Sequence, residues 1–260
     1  MEHPEKYQAH LQRGGTGLRE MRRLLLAWAE HGDWERLREQ ALRENLLGKR
    51  SDALIKDLLG AFRRRFLNDM GLPPATLLAR MLQAPVPETA RTQAMFPYFL
   101  RADPLAERCY RDLVLPRLRA PLPALTTSEI HEHLEALSLE HPELARWSPH
   151  LRIRWARGFT ALLRHFNLME RHPQTRLKPL YLLPEPFAFF WLWAWEQNGS
   201  FWEADRLDLW TLLQADERAR EELLAEGELR GWWTYQRAAS IVSFQPRFST
   251  LAEWLEDQFR

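Results

Sequence analysis

Polar and apolar positions alternate with helical spacing along most of the chain. Met21, Leu24, Leu25 and Trp28 recur at intervals of three and four, which predicts a helix over Leu18 to Glu30. His31-Gly32 ends it, and Asp33 is placed to cap a second helix from Trp34 to about Leu46. Gly48 breaks that helix in what reads as a tight turn, and Ser51 caps a third, in which Ile55, Leu58, Leu59, Phe62 and Phe66 form one apolar stripe. Thr126 and Glu129 have the spacing of a capping box, so a helix starts there and runs to about Glu140. His141-Pro142 interrupts it. Ser148-Pro149 then opens another, with Ser as cap and Pro in the first turn, carrying Trp155, Phe159, Leu162, Leu163 and Phe166 on its buried side to about Phe166. Thr175 to Leu182 reads as extended and has the position of a wing.

Prolines divide the stretch 71–125 into short helices, such as Ala75–Leu82 and Pro104–Leu118, followed by a linker at Ala120–Leu125. In the last third, helices are expected near Pro186–Gln197, Arg206–Leu213, Asp216–Glu226 and Leu251–Gln258. Gly231 to Phe244, rich in aromatic and β-branched residues, suits a short strand pair. No strand–helix rhythm of a doubly wound sheet is present. The fold class is therefore all-α, with helix-turn-helix or winged-helix-like units and small β wings. The expected divisions are residues 1–70 (a first helix-turn-helix), 71–125 (helical connector), 126–183 (a second, winged unit) and 184–260 (a Trp-rich, acidic helical region).

Charge changes this picture more than composition does. The net charge is only +1, yet Arg43 to Arg65 holds seven basic residues against three acids, and Arg146 to Arg171 holds six arginines against Glu170 alone. Glu185 to Arg230 reverses the sign, with eleven acids and four arginines. A helix N-terminus favours anions, so Lys49, Arg50 and Ser51 ahead of the third helix, with Lys56, Arg63 and Arg64 along it, form a candidate phosphate clamp. The later helix carries His150, Arg152, Arg154, Arg157 and Arg164 with no acid among them. Since a solvated helix face ordinarily mixes signs, this all-basic face is the more telling of the two. Both sets are candidate DNA contacts.

Other chemistry is thin. The single cysteine, Cys109, excludes an internal disulfide and reads as a buried, inert thiol, as suits a reducing cytoplasm. His131-Glu132-His133 lacks the spacing of a helical metal pair, because residues two apart point to different sides, and a solvated pair is expected. Gly14-Gly15-Thr16-Gly17 is a flexible lead-in and lacks the Lys-Ser/Thr ending of a phosphate-binding loop. No nucleophile elbow or nucleotide loop stands out, so no enzyme and no cofactor are expected. MEHPEKYQAH has no apolar core of a signal peptide, and the apolar run Phe187 to Trp195 falls short of the roughly 20 residues a bilayer needs, so it reads as a buried helix and no membrane is expected.

The chain resembles the BrxA family of bacteriophage exclusion (BREX) defence clusters. The resemblance rests on the Gly14-Gly15 lead-in with its amphipathic helix, on Asn45-Leu46-Leu47-Gly48-Lys49-Arg50-Ser51, and on the helix closing in Arg63-Arg64-Arg65-Phe66-Leu67. His141-Pro142-Glu143-Leu144 and Lys178-Pro179-Leu180 look similar as well, and the likeness loosens after Pro184. It implies an α-helical fold with helix-turn-helix units, binding of double-stranded DNA, and a place beside a methyltransferase, an ATPase and a phosphatase-like protein of the same defence system. The competing expectation is a protein-interaction scaffold whose basic faces bind an acidic partner or the chain's own acidic third.

Overall fold

The structure, a computed structural model, describes residues 7–12, 17–238 and 241–259. The Gly14–Thr16 lead-in lies outside the described residues. Helices appear in the order α1 (Leu18–His31), α2 (Trp34–Arg43), α3 (Asp52–Phe66), α4 (Ala75–Gln83) and α5 (Glu88–Arg101). There follow α6 (Pro104–Cys109), a π-helical turn (Tyr110–Val114), α7 (Leu115–Arg117), α8 (Thr127–Leu137), α9 (Pro142–Ala145) and α10 (Pro149–His165). The last third holds α11 (Pro184–Asn198), α12 (Phe201–Asp205), α13 (Leu209–Leu212), α14 (Glu217–Leu229), strands β1 (Trp233–Ala238) and β2 (Ile241–Pro246), and α15 (Leu251–Asp257). The protein is mainly helical, and β1–β2 is a two-stranded antiparallel sheet in which Tyr235 faces Phe244.

The starts expected from sequence carry their caps. Asp33 accepts from Arg36 N–H, Ser51 from Leu54 N–H and Ser148 from Leu151 N–H, and Thr126 and Glu129 complete a reciprocal box. Two expectations are corrected. The prolines of 71–125 do not keep every helix short: α5 runs across Pro97, because residues 93–100 are all buried and packing from every side outweighs the lost N–H bond. Pro116 is accommodated by the π turn ahead of it, where Leu115 N–H reaches back five residues to Tyr110. Arg206 does not begin a helix. It caps α12, and α13 starts at Leu209.

The chain forms two compact units, each built from two separate stretches: Met1–Leu18 with Phe99–Leu180, and Arg19–Tyr98 with Tyr181–Arg260. In the second unit a file of rings runs from Trp28 through Phe62 and Phe66 to Tyr98 and Phe190, neighbouring centroids lying 5.4 to 6.5 Å apart. The Tyr98 hydroxyl donates to Pro73 O at 2.6 Å. Helix α11 is apolar nearly all round and buried for the same reason, with Phe187 and Trp191 against Trp210. Among the described residues no helix is long and apolar enough to cross a membrane.

The other unit places α10 at its centre, packed on α8 and on a short 3-10 turn, His10–Gln12. Gly158 permits that approach: a Cβ there would lie 2.1 Å from Leu11 O. After α10 the chain folds back as a small hairpin. Glu170 N–H donates to Arg176 O and Lys178 N–H to Leu168 O, while Leu125 N–H and Leu177 N–H pair the hairpin with 123–125 through Thr175 O and Pro123 O. Three short extended segments thus stand beside the helices, where the sequence suggested a wing.

Candidate nucleic-acid interface

The two basic clusters belong to different units. On α3, the apolar stripe is buried as its spacing required except for the half-buried Leu58, with Ile55 2% and Phe62 0% exposed. The connection from α2 is longer than expected: residues 44–51 separate the helices, against the three or four of a tight helix-turn-helix. Asn45 and Gly48 both take positive φ, 53° and 63°, so the link is a looped excursion held by Arg23, which donates to Leu47 O.

The cations of this cluster are unequally available. Lys49 Nζ lies 2.6 Å from Glu20 Oε1 of α1. Burial alone would raise the Glu20 carboxyl, but the Lys49 hydrogen bond and charge, with a main-chain bond, hold it below its ordinary value. The Arg63 guanidinium lies over the Trp34 ring at 5.8 Å, and Arg64 is half-buried. Arg50 and Lys56 are exposed, with Asp52 and Asp57 exposed on the same helix, so the face is of mixed sign. Ser51 caps α3 with its own side chain.

The face of α10 is different. His150, Arg154 and Arg157 are exposed at spacings of four and three on one side of the helix, while Trp155, Phe159, Leu162 and Leu163 are buried. Arg157 makes no ion pair among the described residues, and no acid lies on the helix. Two of the arginines expected on this face are engaged elsewhere. Arg152 donates to Leu144 O at 3.1 Å and sits 3.7 Å from Glu135, tying α10 to α8 and α9. Arg164 donates from Nε to Glu170 O and from a terminal nitrogen to Gln174 O, each at 3.1 Å, which binds the hairpin to the last turn of α10. Burial draws the Arg164 guanidinium somewhat below its ordinary value.

The hairpin carries two arginines that helical periodicity did not single out. Arg171 and Arg176 are exposed, with no ion pair among the described residues. The signal available was the excess of arginine continuing past the end of the helix, where no wheel could assign it a face.

The remaining chemistry-bearing residues are engaged within the fold. His131 and His133 are half-buried rather than solvated and face different carboxylates, Glu135 at 3.8 Å and Asp112 at 3.4 Å. Burial lowers the His133 imidazole, and Asp112 opposes that shift. Among the described residues no group of His, Cys, Asp and Glu is arranged to hold a metal. Cys109 is fully buried and its thiol is pushed up, first by burial and then by Asp103 and Asp112. The carboxylates of the acidic third pair largely with its own arginines, as in Arg220–Asp205 at 2.8 Å, Arg230–Glu185 at 2.8 Å and Arg237–Glu221 at 2.9 Å.

Comparison with known proteins gives a family and a likeness of fold. The family model described as BrxA matches residues 5–190. No curated protein matches. Among solved structures, the crystal structure of an uncharacterized protein from Magnetospirillum magneticum is similar, with a TM-score of 0.61 at 18% identity, over 77% of this chain and 97% of that one. At that identity the likeness is one of fold.

Proposed function

The chain belongs to the BrxA family, components of bacterial BREX phage defence, and from that premise we propose that it is a non-catalytic protein that holds double-stranded DNA through basic helix faces, chiefly that of α10. The observation that carries the reading is the run His150, Arg154, Arg157: exposed, on one side of a well-capped helix whose own sequence holds no acid. A helix of this kind beside a short hairpin has the dimensions of a major-groove reader. Its side chains suit phosphate more than base edges, since neither Asn nor Gln projects from the face. Binding is then weakly sequence-specific and strongly salt-dependent. The Arg50 and Lys56 region of α3 is a second, weaker candidate, because Lys49 is neutralised by Glu20. In this reading the protein acts in the cytoplasm, beside the methyltransferase, ATPase and phosphatase-like members of the same defence system.

The test is an anisotropy titration with random-sequence duplexes at several salt concentrations, on the wild type and on Arg154→Ala/Arg157→Ala. The double variant should bind unrelated duplexes uniformly more weakly, and its log–log salt slope should fall by roughly one for every phosphate it no longer neutralises. Its thermal midpoint should hold, since both side chains are exposed. Unchanged affinity with an unchanged midpoint would assign these faces to an acidic protein partner instead.

A further inference from the structure

Arg164 lies in the last full turn of α10, yet its guanidinium does not project with Arg154 and Arg157. It is a fork whose two arms reach two main-chain carbonyls of the following hairpin, Glu170 O and Gln174 O. A planar guanidinium suits this role, because it offers several donors in fixed geometry. The two carbonyls bracket the turn of the hairpin, so the fork sets where that turn stands relative to α10. Arg157 and Arg164 are seven residues apart, which is about 10 Å along a helix axis. The hairpin turn is therefore held within reach of the same stretch of duplex that the α10 face would meet.

On that turn Arg171, His172, Pro173 and Gln174 are exposed, and Arg176 is exposed on the returning segment. The only acid on the hairpin, Glu170, is half-buried, and its main chain is engaged on both sides: the N–H with Arg176 O, the carbonyl with Arg164. A solvated hairpin has no need of a half-buried, two-armed arginine latch, nor of two arginines beside it that make no ion pair among the described residues. Resting on the DNA-binding reading above, we propose that the hairpin 168–178 is a second DNA-contacting element, that Arg171 and Arg176 bind backbone phosphates flanking the groove entered by α10, and that Arg164 is a positioning residue that presents them.

The chemistry recognised is that of adjacent phosphodiesters on a B-form duplex. Two arginines on a latched turn meet phosphates at fixed spacing, and each phosphate so neutralised releases condensed counterions. With a slope of about 0.9 per phosphate, removing both arginines weakens binding roughly thirtyfold at about 0.15 M monovalent salt and lowers the salt slope by roughly two. A-form RNA presents a deep, narrow major groove that would not admit α10 together with the hairpin, so duplex RNA of equal length is the contrasting ligand.

The experiment uses the full-length chain and a random-sequence DNA duplex across a salt series. Arg171→Ala/Arg176→Ala should lose affinity and salt slope by those amounts with an unchanged thermal midpoint. Arg164→Lys retains the charge but not the two-armed fork, so it should reproduce most of that loss. Added to Arg171→Ala/Arg176→Ala it should have no further effect, since the element it positions is already silent. Hydrogen exchange of the 170–176 amides should quicken in Arg164→Lys. If Arg154→Ala/Arg157→Ala weakens binding while Arg171→Ala/Arg176→Ala does not, the hairpin proposal fails and the α10 reading stands. If the wild type does not bind DNA duplexes, both fail. Additive losses for Arg164→Lys and the hairpin variant would make Arg164 a phosphate-binding residue in its own right and overturn its positioning role. Hairpin substitutions that weaken duplex RNA binding and spare duplex DNA would overturn the proposal as well.

Discussion

Replacing Gly227 by Ala gives a sharp test of how the Trp-rich region is packed, because two effects of opposite sign meet at one atom. Gly227 is buried within α14, where Ala is intrinsically favoured over Gly by about 1 kcal/mol. A Cβ at that position would stand 2.0 Å from Cζ2 and 2.4 Å from Cε2 of Trp233. Carbon atoms pack best at about 3.5 to 4.0 Å, so the indole must withdraw by roughly 1.5 Å. It has nowhere to go: Trp233 is 2% exposed, lies edge-on to Phe187 at 6.4 Å and against Phe244 at 5.5 Å. Its Nε1–H also donates to Leu224 O at 2.8 Å, one turn ahead of the glycine. Overpacking costs roughly 1–3 kcal/mol and losing that bond about 0.5–1.5 kcal/mol, so the helix preference is outweighed and the expected net destabilisation is about 2 kcal/mol. Gly60→Ala supplies the control within the same unit. In α3 its nearest neighbour would be Arg64 Nη1 at 3.5 Å, an ordinary van der Waals distance, and it should stabilise by about 0.5–1 kcal/mol. Differential scanning calorimetry of both variants, with Gly227→Ala repeated in a Trp233→Leu background, separates the terms. In that background the alanine should become neutral or stabilising. A Gly227→Ala protein as stable as Gly60→Ala would show that the indole is not fixed against α14 and that the close approach carries no weight.

The remaining predictions concern the unit that holds α10. Gly158→Ala should lower the thermal midpoint, with a loss bounded by undocking of the 3-10 turn; that turn buries Leu11 to 3% exposure and contributes about 1.5–3 kcal/mol. Proteolysis near residues 8–12 should then quicken, while DNA affinity well below the midpoint should hold, since Gly158 is on the buried side. Acid stability should fall in two steps, both assigned to α8. The folded state holds His133 below its ordinary 6.5, so stability is complete above that pH and falls below it, where the unfolded chain takes up a proton that the folded chain resists. Glu129, held below its ordinary 4.5 mainly by the Thr126 main-chain bond, should produce the second loss as pH drops through its lowered value. Denaturant midpoints across pH should show His133→Gln removing the upper step and Glu129→Gln the lower. Steps that persist in those variants would place the titration elsewhere.

The sequence by itself determined where the helices with side-chain caps begin, because those starts depend on local donors and acceptors. Asp33, Ser51, Thr126 with Glu129, and Ser148 satisfy N–H groups three residues away, and no distant residue is needed. It also determined which faces are buried on α3 and α10, since helical period fixes that once the helix exists. The aromatic and β-branched run before Phe244 was legible as a strand pair, which formed as β1 and β2. Tertiary structure decided what local rules could not reach. Pro97 remained inside α5 because burial from all sides outweighs its missing bond. Helix α5 is divided between two units at Tyr98 and Phe99, and each unit gathers stretches far apart in sequence, which periodicity does not encode. The same limit governs the basic faces. Sequence placed Lys49, Arg152 and Arg164 among the available cations, and only the fold brought Glu20, Leu144 O and the hairpin carbonyls to them. A guanidinium or ammonium group has a reach of several ångströms, so what it binds is set by whichever acceptors the packed chain brings near, and that is a property of three-dimensional neighbours.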